Sequence, residues 1–531
     1  MSQLADRSLD DLSEVEKELR FDRLQEGLKG VWNAMRLNTP GESLVVIPSV
    51  VPADAQIPGS IVQAQEERLL FLLLLLRQPR LQMIYVTSLP IAPTIVEYYL
   101  ALLPGVIPSH ARARLHFVAT YDGSARPLSA KLLERPRILE RVRSLIPNPA
   151  LCHLVPYATT TRERDIALAL GIPMYGADPR YFPLGTKSGC RRLFGEEGVP
   201  HPLGYGDLRS LDDVVDALTQ LREVRPTARQ ALVKLNEGVA GLGNAVVELG
   251  GLPEPTAPGA RSELTARVES MALEHEQRTF DSYLADLFEH GGIIEERITG
   301  KAIRSPSVQL RVTPLGEVEL LSTHDQLLGG KTGQTYLGCR FPADFAYARA
   351  ISAEAAKIGA RLAREGVLGR FAVDFVVARD ESGLWTPFAI ELNLRKGGTT
   401  HPFLTLQFLT DGAYDPVTAL FTAPSGREKH MVATDHLESP LLRGLTLDDL
   451  FDIVARHGLH FDQARQTGVV FHMMSALSEH GRIGLTAVGD NPGQADATYR
   501  QAERILTDEA TLALVSPTLP RIGESERRGA L

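Results

Sequence analysis

Through residue 185 the chain alternates short β-branched runs with longer stretches of helical period. The pattern predicts strands at Leu44–Pro48, Met83–Thr87, Leu115–Ala119 and Leu151–Val155, and helices around 64–77, 93–103, 128–146 and 161–170. Such alternation argues for a parallel sheet covered by its crossover helices. The most apolar stretch, Leu69–Leu76, reads LLFLLLLL. As a helix it would rise about 12 Å, far short of a hydrocarbon core of about 30 Å. Flanked by Glu66, Glu67, Arg68 and Arg77, it is expected to be a buried helix.

Beyond residue 185 the texture changes. A short helix opens at Thr186-Lys187 and closes at Gly195 or Gly198, and a second helix covers 211–222. Strands at Ala231–Leu235 and Ala245–Leu249 flank a glycine-rich loop, and GGLPEPTAPG at 250–259 reads as an exposed loop. Further strands are predicted at Gly292–Ile298, Val308–Thr313, Val318–Ser322, Phe371–Val377 and Phe388–Leu392, with a long helix near 344–364. APSGREKH at 423–430 interrupts the pattern. After it, helices at Leu447–His457 and Ala495–Leu506 and strands at Gly468–Met474 and Ile483–Val488 make a small α/β module; the tail from Arg521 is expected to fray. The 531 residues suit three or four domains at roughly 150 residues each.

Composition narrows the function classes. With 44% hydrophobic and 23% charged residues the chain is ordinary globular material. Its 65 acidic against 56 basic side chains give a net charge of −9, which disfavours a nucleic-acid partner. Cys152, Cys190 and Cys339 lie far apart and form no CxxC pair, so neither a disulfide framework nor a thiolate zinc site is expected. The polar, acidic N-terminus lacks the apolar core of a secretory signal. A cytoplasmic protein with no membrane partner is the expectation.

The chemistry concentrates in FAVDFVVARDESGLWTPFAIELNLRKGGTTH, residues 371–401. Asp374 lies within one apolar strand, and Glu391 and Asn393, two apart in the next, project from one face. Antiparallel pairing can bring the three oxygen donors together, and so few hard ligands suit Mg²⁺ that also takes phosphate oxygens. Arg395, two residues further on, could hold a phosphoryl group bidentately. The bland alternative is a strand edge with solvated charges, but a carboxylate inside an apolar strand is costly unless paired or metal-bound. Lys234, with Gly238, Gly241 and Gly243, could cradle phosphate on backbone amides; alone, such a stretch reads more readily as a hairpin. Gly329-Gly330-Lys331-Thr332 imitates the end of a P-loop, but Asp325 stands where its first glycine belongs.

In order and spacing, these pieces over 185–405 resemble the ATP-grasp superfamily. Over nearly the whole chain the sequence is similar to the pre-ATP-grasp peptide ligases, the group typified by the pheganomycin peptide ligase. The residues that carry this are EER at 66–68, GTKSGCRRLF at 185–194, KLNEGVAGLGN at 234–244, HDQLLGG at 324–330, ELNLRKGGTTHP at 391–402, GVVFHMMSAL at 468–477 and GRIGLTAVGD at 481–490. The resemblance implies a Rossmann-like pre-ATP-grasp domain (1–185), an ATP-grasp domain (186–429) with a mobile lid at about 200–290, and a small C-terminal α/β domain (430–531). It makes Lys187 and Lys234 contacts of the ATP phosphates and Gly238–Gly243 the loop that covers them. Glu295, Glu296 and Ile298 fall in the hinge that holds adenine and ribose. Asp374, Glu391 and Asn393 match the magnesium ligands, with Glu391 bridging two ions, and Arg311 and Arg395 steady the transferring phosphate. His401 corresponds loosely to a substrate contact. Leu394 departs from the proline that many ATP-grasp enzymes carry there.

The activity implied is ATP-dependent joining of a small-molecule or peptide carboxylate to an amine through an acyl phosphate, with ATP and Mg²⁺ required. An ATP-grasp carboxylase, a small-molecule kinase and a non-catalytic nucleotide-binding regulator remain open as alternatives, as does a homodimer. His324 and Asp325 stand evenly between a substrate-facing loop and turn chemistry, whereas His472, beside Met473 and Met474, reads as core.

Overall fold

The computed structural model describes residues 9–37, 41–50, 57–238, 241–275, 278–330, 333 and 335–515. The chain opens on a parallel sheet of β1 (Ser43–Ile47), β2 (Gln82–Thr87), β3 (Leu115–Ala119) and β4 (Cys152–Pro156), in the order β3-β2-β1-β4. Every residue of β1 and β4 is buried, as strands covered on both faces by helices must be. The strand order switches direction between β1 and β4, so a crevice opens at their carboxyl ends.

Two predicted helices differ in detail. The stretch expected as one helix over 64–77 is an α-helix, Gly59–Glu66, continued by a 3-10 helix, Glu67–Arg77. A run of consecutive apolar residues carries no 3.6-residue period, so the pattern does not specify the winding. The 128–146 helix breaks into Leu128–Leu133 and Pro136–Ser144, because Pro136 lacks the amide hydrogen an uninterrupted helix needs.

The second unit is a five-stranded antiparallel sheet in the order β5-β9-β6-β7-β8, formed by β5 (Gly204–Leu208), β6 (Gln230–Leu235), β7 (Asn244–Glu248), β8 (Ala272–Leu273) and β9 (Gly292–Glu296). Helices Leu211–Val224, Ala260–Glu269 and Phe280–His290 close its own core around Val233, Ile294, Leu218 and Leu287.

The third sheet has nine strands. It comprises β10 (Ala302–Arg304), β11 (Pro306–Val312), β12 (Val318–Gly329), β13 (Thr335–Phe341), β14 (Gly369–Arg379) and β15 (Trp385–Asn393). A β16 (Ala413–Asp415)–β17 (Leu420–Thr422) hairpin stands apart. The sheet then continues through β18 (His430–Glu438), β20 (Arg482–Gly489) and β19 (Gly468–His472), because β13 pairs with β18. The last hundred residues therefore extend the same sheet, and one apolar core joins Leu69–Leu76 to Phe403, Leu450, Phe471 and Leu485. Helix Phe345–Arg364 covers the other end, packing Ile351, Ala355 and Ile358 near Val308 and Phe371. Helix Thr400–Thr410 and strands β10, β13 and β18 are elements that the pattern did not predict. The last helix runs over Pro492–Val515, longer than expected; residues from 521, like Lys331 and Thr332, lie outside the described residues.

Candidate active site

The site is built where β14, β15 and helix Lys187–Glu196 meet the edge of the five-stranded sheet. Asp374 and Glu391 are register partners on β14 and β15, and Asn393 stands opposite Ala372, so all three share a face, as the spacing predicts. Asn393 Nδ2 donates to Asp374 Oδ2 at 3.1 Å, and Gln326 Nε2 donates to Asp374 Oδ1 at 2.9 Å. Turning the Asn393 amide over presents its oxygen beside the two carboxylates. This set of hard oxygen donors on a rigid strand pair, too few to enclose an ion, fits magnesium.

Lys187, in the first turn of its helix, places Nζ 2.6 Å from Glu391 Oε1. Burial works against its charge, but Glu391 holds its pKa above the ordinary lysine value. Burial likewise opposes ionisation of Glu391, and Lys187 outweighs it, keeping the carboxyl below its usual range. Asp374 moves the other way: burial, and then the charge of Glu391, push it up. The lysine thus serves the two carboxylates as an internal counter-ion.

A second pair mirrors the first. Lys234 on β6 reaches Glu295 on β9, Nζ to Oε2, at 2.6 Å, and Arg191 holds the other carboxylate oxygen at 3.2 Å. All of Glu295 is buried, so it is affordable only with these partners. The two lysines are tied together: Ser188 N and Oγ both donate to Asn236 Oδ1 at 2.9 Å, joining the helix start to the end of β6. Glu296 faces elsewhere, accepting from Leu203 N at 2.9 Å and pairing with Arg225. Ile298 follows the end of β9, half-buried.

Of the glycine loop, Val239 and Ala240 lie outside the described residues, and Gly238 and Gly243 meet at its base. A Cβ on Gly238 would lie 2.9 Å from Gly243 Cα, so the two glycines let the backbone approach itself closely at the loop base. Gly241 has φ of 84°. Tyr283 anchors the base, its hydroxyl donating towards Val233 O and Gly243 O at 3.1 and 3.0 Å.

Arg395 Nη1 donates to Lys396 O at 3.1 Å, half-buried beside the cluster. Arg311 is not brought there. It lies four residues along β11 from Ser307, the partner of Asp374, where it pairs with Glu319 and sits 5.2 Å over the Trp32 ring. His324 is fully buried against Phe341 and Phe403, and burial pushes its pKa down to about 3. Asp325 accepts from Tyr347 Oη at 2.7 Å and Asp344 N at 3.0 Å. His401 is buried against His472.

Several groups were missed in the sequence. Lys396 is buried with Nζ donating to Pro156 O, at the carboxyl end of β4, and Thr159 Oγ1 donates to Leu394 O at 3.2 Å. These bonds seat residues 394–396 on the crevice of the first sheet. Burial brings Lys396 down to about 7. The EER triplet straddles the junction of the α-helix Gly59–Glu66 and the 3-10 helix Glu67–Arg77, and successive side chains there point about 100–120° apart, so the three fan out. Glu66 accepts from Ser88 N at 2.7 Å, beyond β2; Glu67 turns to Ser475 N; Arg68 holds Asp435 Oδ2 at 2.9 Å. Burial pushes Glu66 and Glu67 each up to about 7. The signal available was three charges opening a run with no polar face.

Comparison with known proteins agrees with this architecture. A family model described as IQCH-like, ATP-grasp matches residues 182–256 and 259–416, and one described as PGM1 C-terminal domain matches 449–502. The chain is 28% identical over 481 residues to an L-propargylglycine–L-glutamate ligase of Streptantibioticus cattleyicolor, covering 89% of this chain and 95% of the relative. It is 24% identical over 483 residues to IQ motif-containing protein H of Danio rerio, covering 82% of this chain and 45% of that longer protein. The fold is similar to a biotin carboxylase of Campylobacter jejuni solved with a β,γ-ATP compound, at TM-score 0.51 and 13% identity over 90% of this chain and 97% of that one. It is also similar to the biotin carboxylase domain of the Hydrogenobacter thermophilus 2-oxoglutarate carboxylase, at TM-score 0.52 and 13% identity, covering 87% and 89% of the two chains. Residues 182–256 and 259–416 thus match an ATP-grasp family model, the class that the sequence resembles, and the chain has an α/β fold similar to the two carboxylase structures. No helix among the described residues is long and apolar enough to cross a membrane.

Proposed function

We propose that the protein is an ATP-dependent carboxylate–amine ligase that forms a peptide bond between small amino-acid or peptide substrates. The observation that carries it is the pairing of Asp374 and Glu391 on adjacent strands, with Lys187 within 2.6 Å of Glu391. The matched relative, a ligase for two amino acids, supports the reaction class.

In this reading Asp374, Glu391 and Asn393 hold magnesium, which when bound offsets charge on the phosphates of ATP. Lys187 and Lys234 leave their carboxylate partners for the phosphates. Glu295 and the segment through Ile298 line the adenine and ribose side. Gly238–Gly243 cover the phosphates and exclude water, which an acyl phosphate requires. Arg395 steadies the group in transfer and then the oxyanion formed when the amine attacks. Residues 394–396, seated on the crevice between β1 and β4, turn the reacting end towards the first domain, where the carboxylate and amine bind. Arg311 stands further off and orients the strand through Glu319. His324 and Asp325, on β12, hold that strand against Phe341 and Phe403 and against Tyr347 and Asp344. The protein works in the cytoplasm, consistent with its three buried free cysteines.

The test is incubation of the pure protein with Mg-ATP and pooled amino acids and short peptides, read by mass spectrometry. Products equal to two components minus water, with one ADP each, support the reading. ADP without condensation, dependent on bicarbonate or a hydroxyl acceptor, would replace it with a carboxylase or kinase.

A further inference from the structure

Outside the nucleotide site, the described residues contain one group of three potential metal-ligating side chains whose donor atoms converge, and all three are buried. His401 opens helix Thr400–Thr410, eight residues after Asn393. Asp435 lies on β18, and His472 ends β19. His472 Nε2 is 2.8 Å from Asp435 Oδ1, His401 Nε2 is 3.1 Å from the same oxygen, and the two imidazole nitrogens are 3.0 Å apart. We propose that His401 Nε2, His472 Nε2 and Asp435 Oδ1 bind one divalent transition-metal ion of the zinc class, clipping the segment after the magnesium ligands to the C-terminal strands.

Four observations carry this. The first is geometric. Zinc bonds of about 2.0–2.1 Å in a tetrahedral arrangement put ligand atoms about 3.3 Å apart, close to the separations seen here. A small movement outward seats an ion against all three.

The second is proton accounting. Two neutral imidazoles can each aim an N–H at Asp435, but then two donors face each other at 3.0 Å. If instead one nitrogen accepts from the other, it loses its bond to the oxygen. Three mutually close donor atoms are satisfied together by a cation and not by hydrogen bonds.

The third is the outer shell. Arg68 holds Asp435 Oδ2 at 2.9 Å, leaving Oδ1 to the imidazoles, and such a bond fixes a ligating carboxylate. His472 lies over Gly484, where any side chain would collide with the ring, so its Nε2 is aimed at Asp435.

The fourth is the chemistry of the donor set. Two histidines and one carboxylate suit zinc, iron or cobalt rather than magnesium, which separates this site from the oxygen donors around Asp374.

The experiment uses the full chain without ATP or magnesium, so its result does not depend on the ligase reading. Protein stripped with EDTA is given three equivalents of Zn²⁺, desalted and measured for zinc by mass spectrometry; a parallel sample takes Co²⁺ for its visible spectrum. The expected result is about one zinc per chain, at least tenfold less in His472→Gln and in His401→Gln, and cobalt d–d bands of a nitrogen–oxygen site. Circular dichroism checks the fold of each variant. If either variant fails to fold, the cobalt spectrum of the unaltered protein decides. No retained zinc and no cobalt bands, or equal zinc in folded variants and the unaltered chain, would overturn the proposal.

Discussion

Lys187 Nζ lies 2.6 Å from Glu391 Oε1, so the residues proposed to meet phosphate and metal neutralise each other when neither is bound. Binding of Mg-ATP then exchanges one set of ionic partners for another, and no buried charge is left alone at either stage.

The exchange predicts an unusual response to magnesium alone. In Lys187→Met the carboxylates lose their counter-ion, so Mg²⁺ without nucleotide should raise Tm more than in the unaltered protein. Turnover should fall at least about 100-fold, since the lysine meets transferring charge. Differential scanning fluorimetry across a magnesium titration checks the first, and equal shifts in both proteins would count against the pairing.

Tyr283 fixes the base of the glycine loop through Val233 O and Gly243 O. Tyr283→Phe should cost about 1 kcal/mol of stability and raise KM for ATP several-fold while leaving the metal dependence unchanged. Steady-state kinetics with varied ATP decides it; an unaltered KM removes the loop from nucleotide binding.

Gly238→Ala places a methyl group against Gly243 Cα. We expect the loop base to open, costing about 1–3 kcal/mol, and ATP affinity to fall more than affinity for either other substrate. Isothermal titration with each ligand tests the order.

His324 gives a pH prediction with a definite sign. Its folded pKa, about 3, lies below the unfolded value of about 6.5. The unfolded chain therefore takes up the proton first, and stability is full above about pH 6.5 and lost as pH falls towards 3. Between pH 6 and 4.5 the unaltered protein should lose about 1.4 kcal/mol per pH unit more than His324→Gln. Urea unfolding of both across that window measures the difference, and parallel curves would refute it.

Much of this was legible in the chain. Strands such as Leu115–Ala119 follow from β-branched runs between turn signals, and the shared face of Glu391 and Asn393 follows from the two-residue strand period. What the sequence hid is long-range. Strand β18 begins within the segment that reads as a boundary, because pairing with β13, some ninety residues earlier, leaves no local mark. Arg311 illustrates the same limit: motif order brought it to the phosphate, whereas its position along β11 sets it beside Glu319 and Trp32. His472 reads as core by its neighbours Met473 and Met474 and is indeed buried, yet its contact with His401 joins positions 71 residues apart. Likewise, the separate roles of Glu66, Glu67 and Arg68 depend on the change from α to 3-10 winding after Glu66, which an unbroken apolar run does not reveal.

The central claim is that a substrate carboxylate is phosphorylated before the amine attacks. Once the substrates are known, the carboxylate is labelled with ¹⁸O and the phosphate released in a single turnover is analysed by mass spectrometry. The account predicts one ¹⁸O atom in each phosphate, with no labelled phosphate formed by Glu391→Gln. Unlabelled phosphate from the active protein, with the amide product still made, would contradict it.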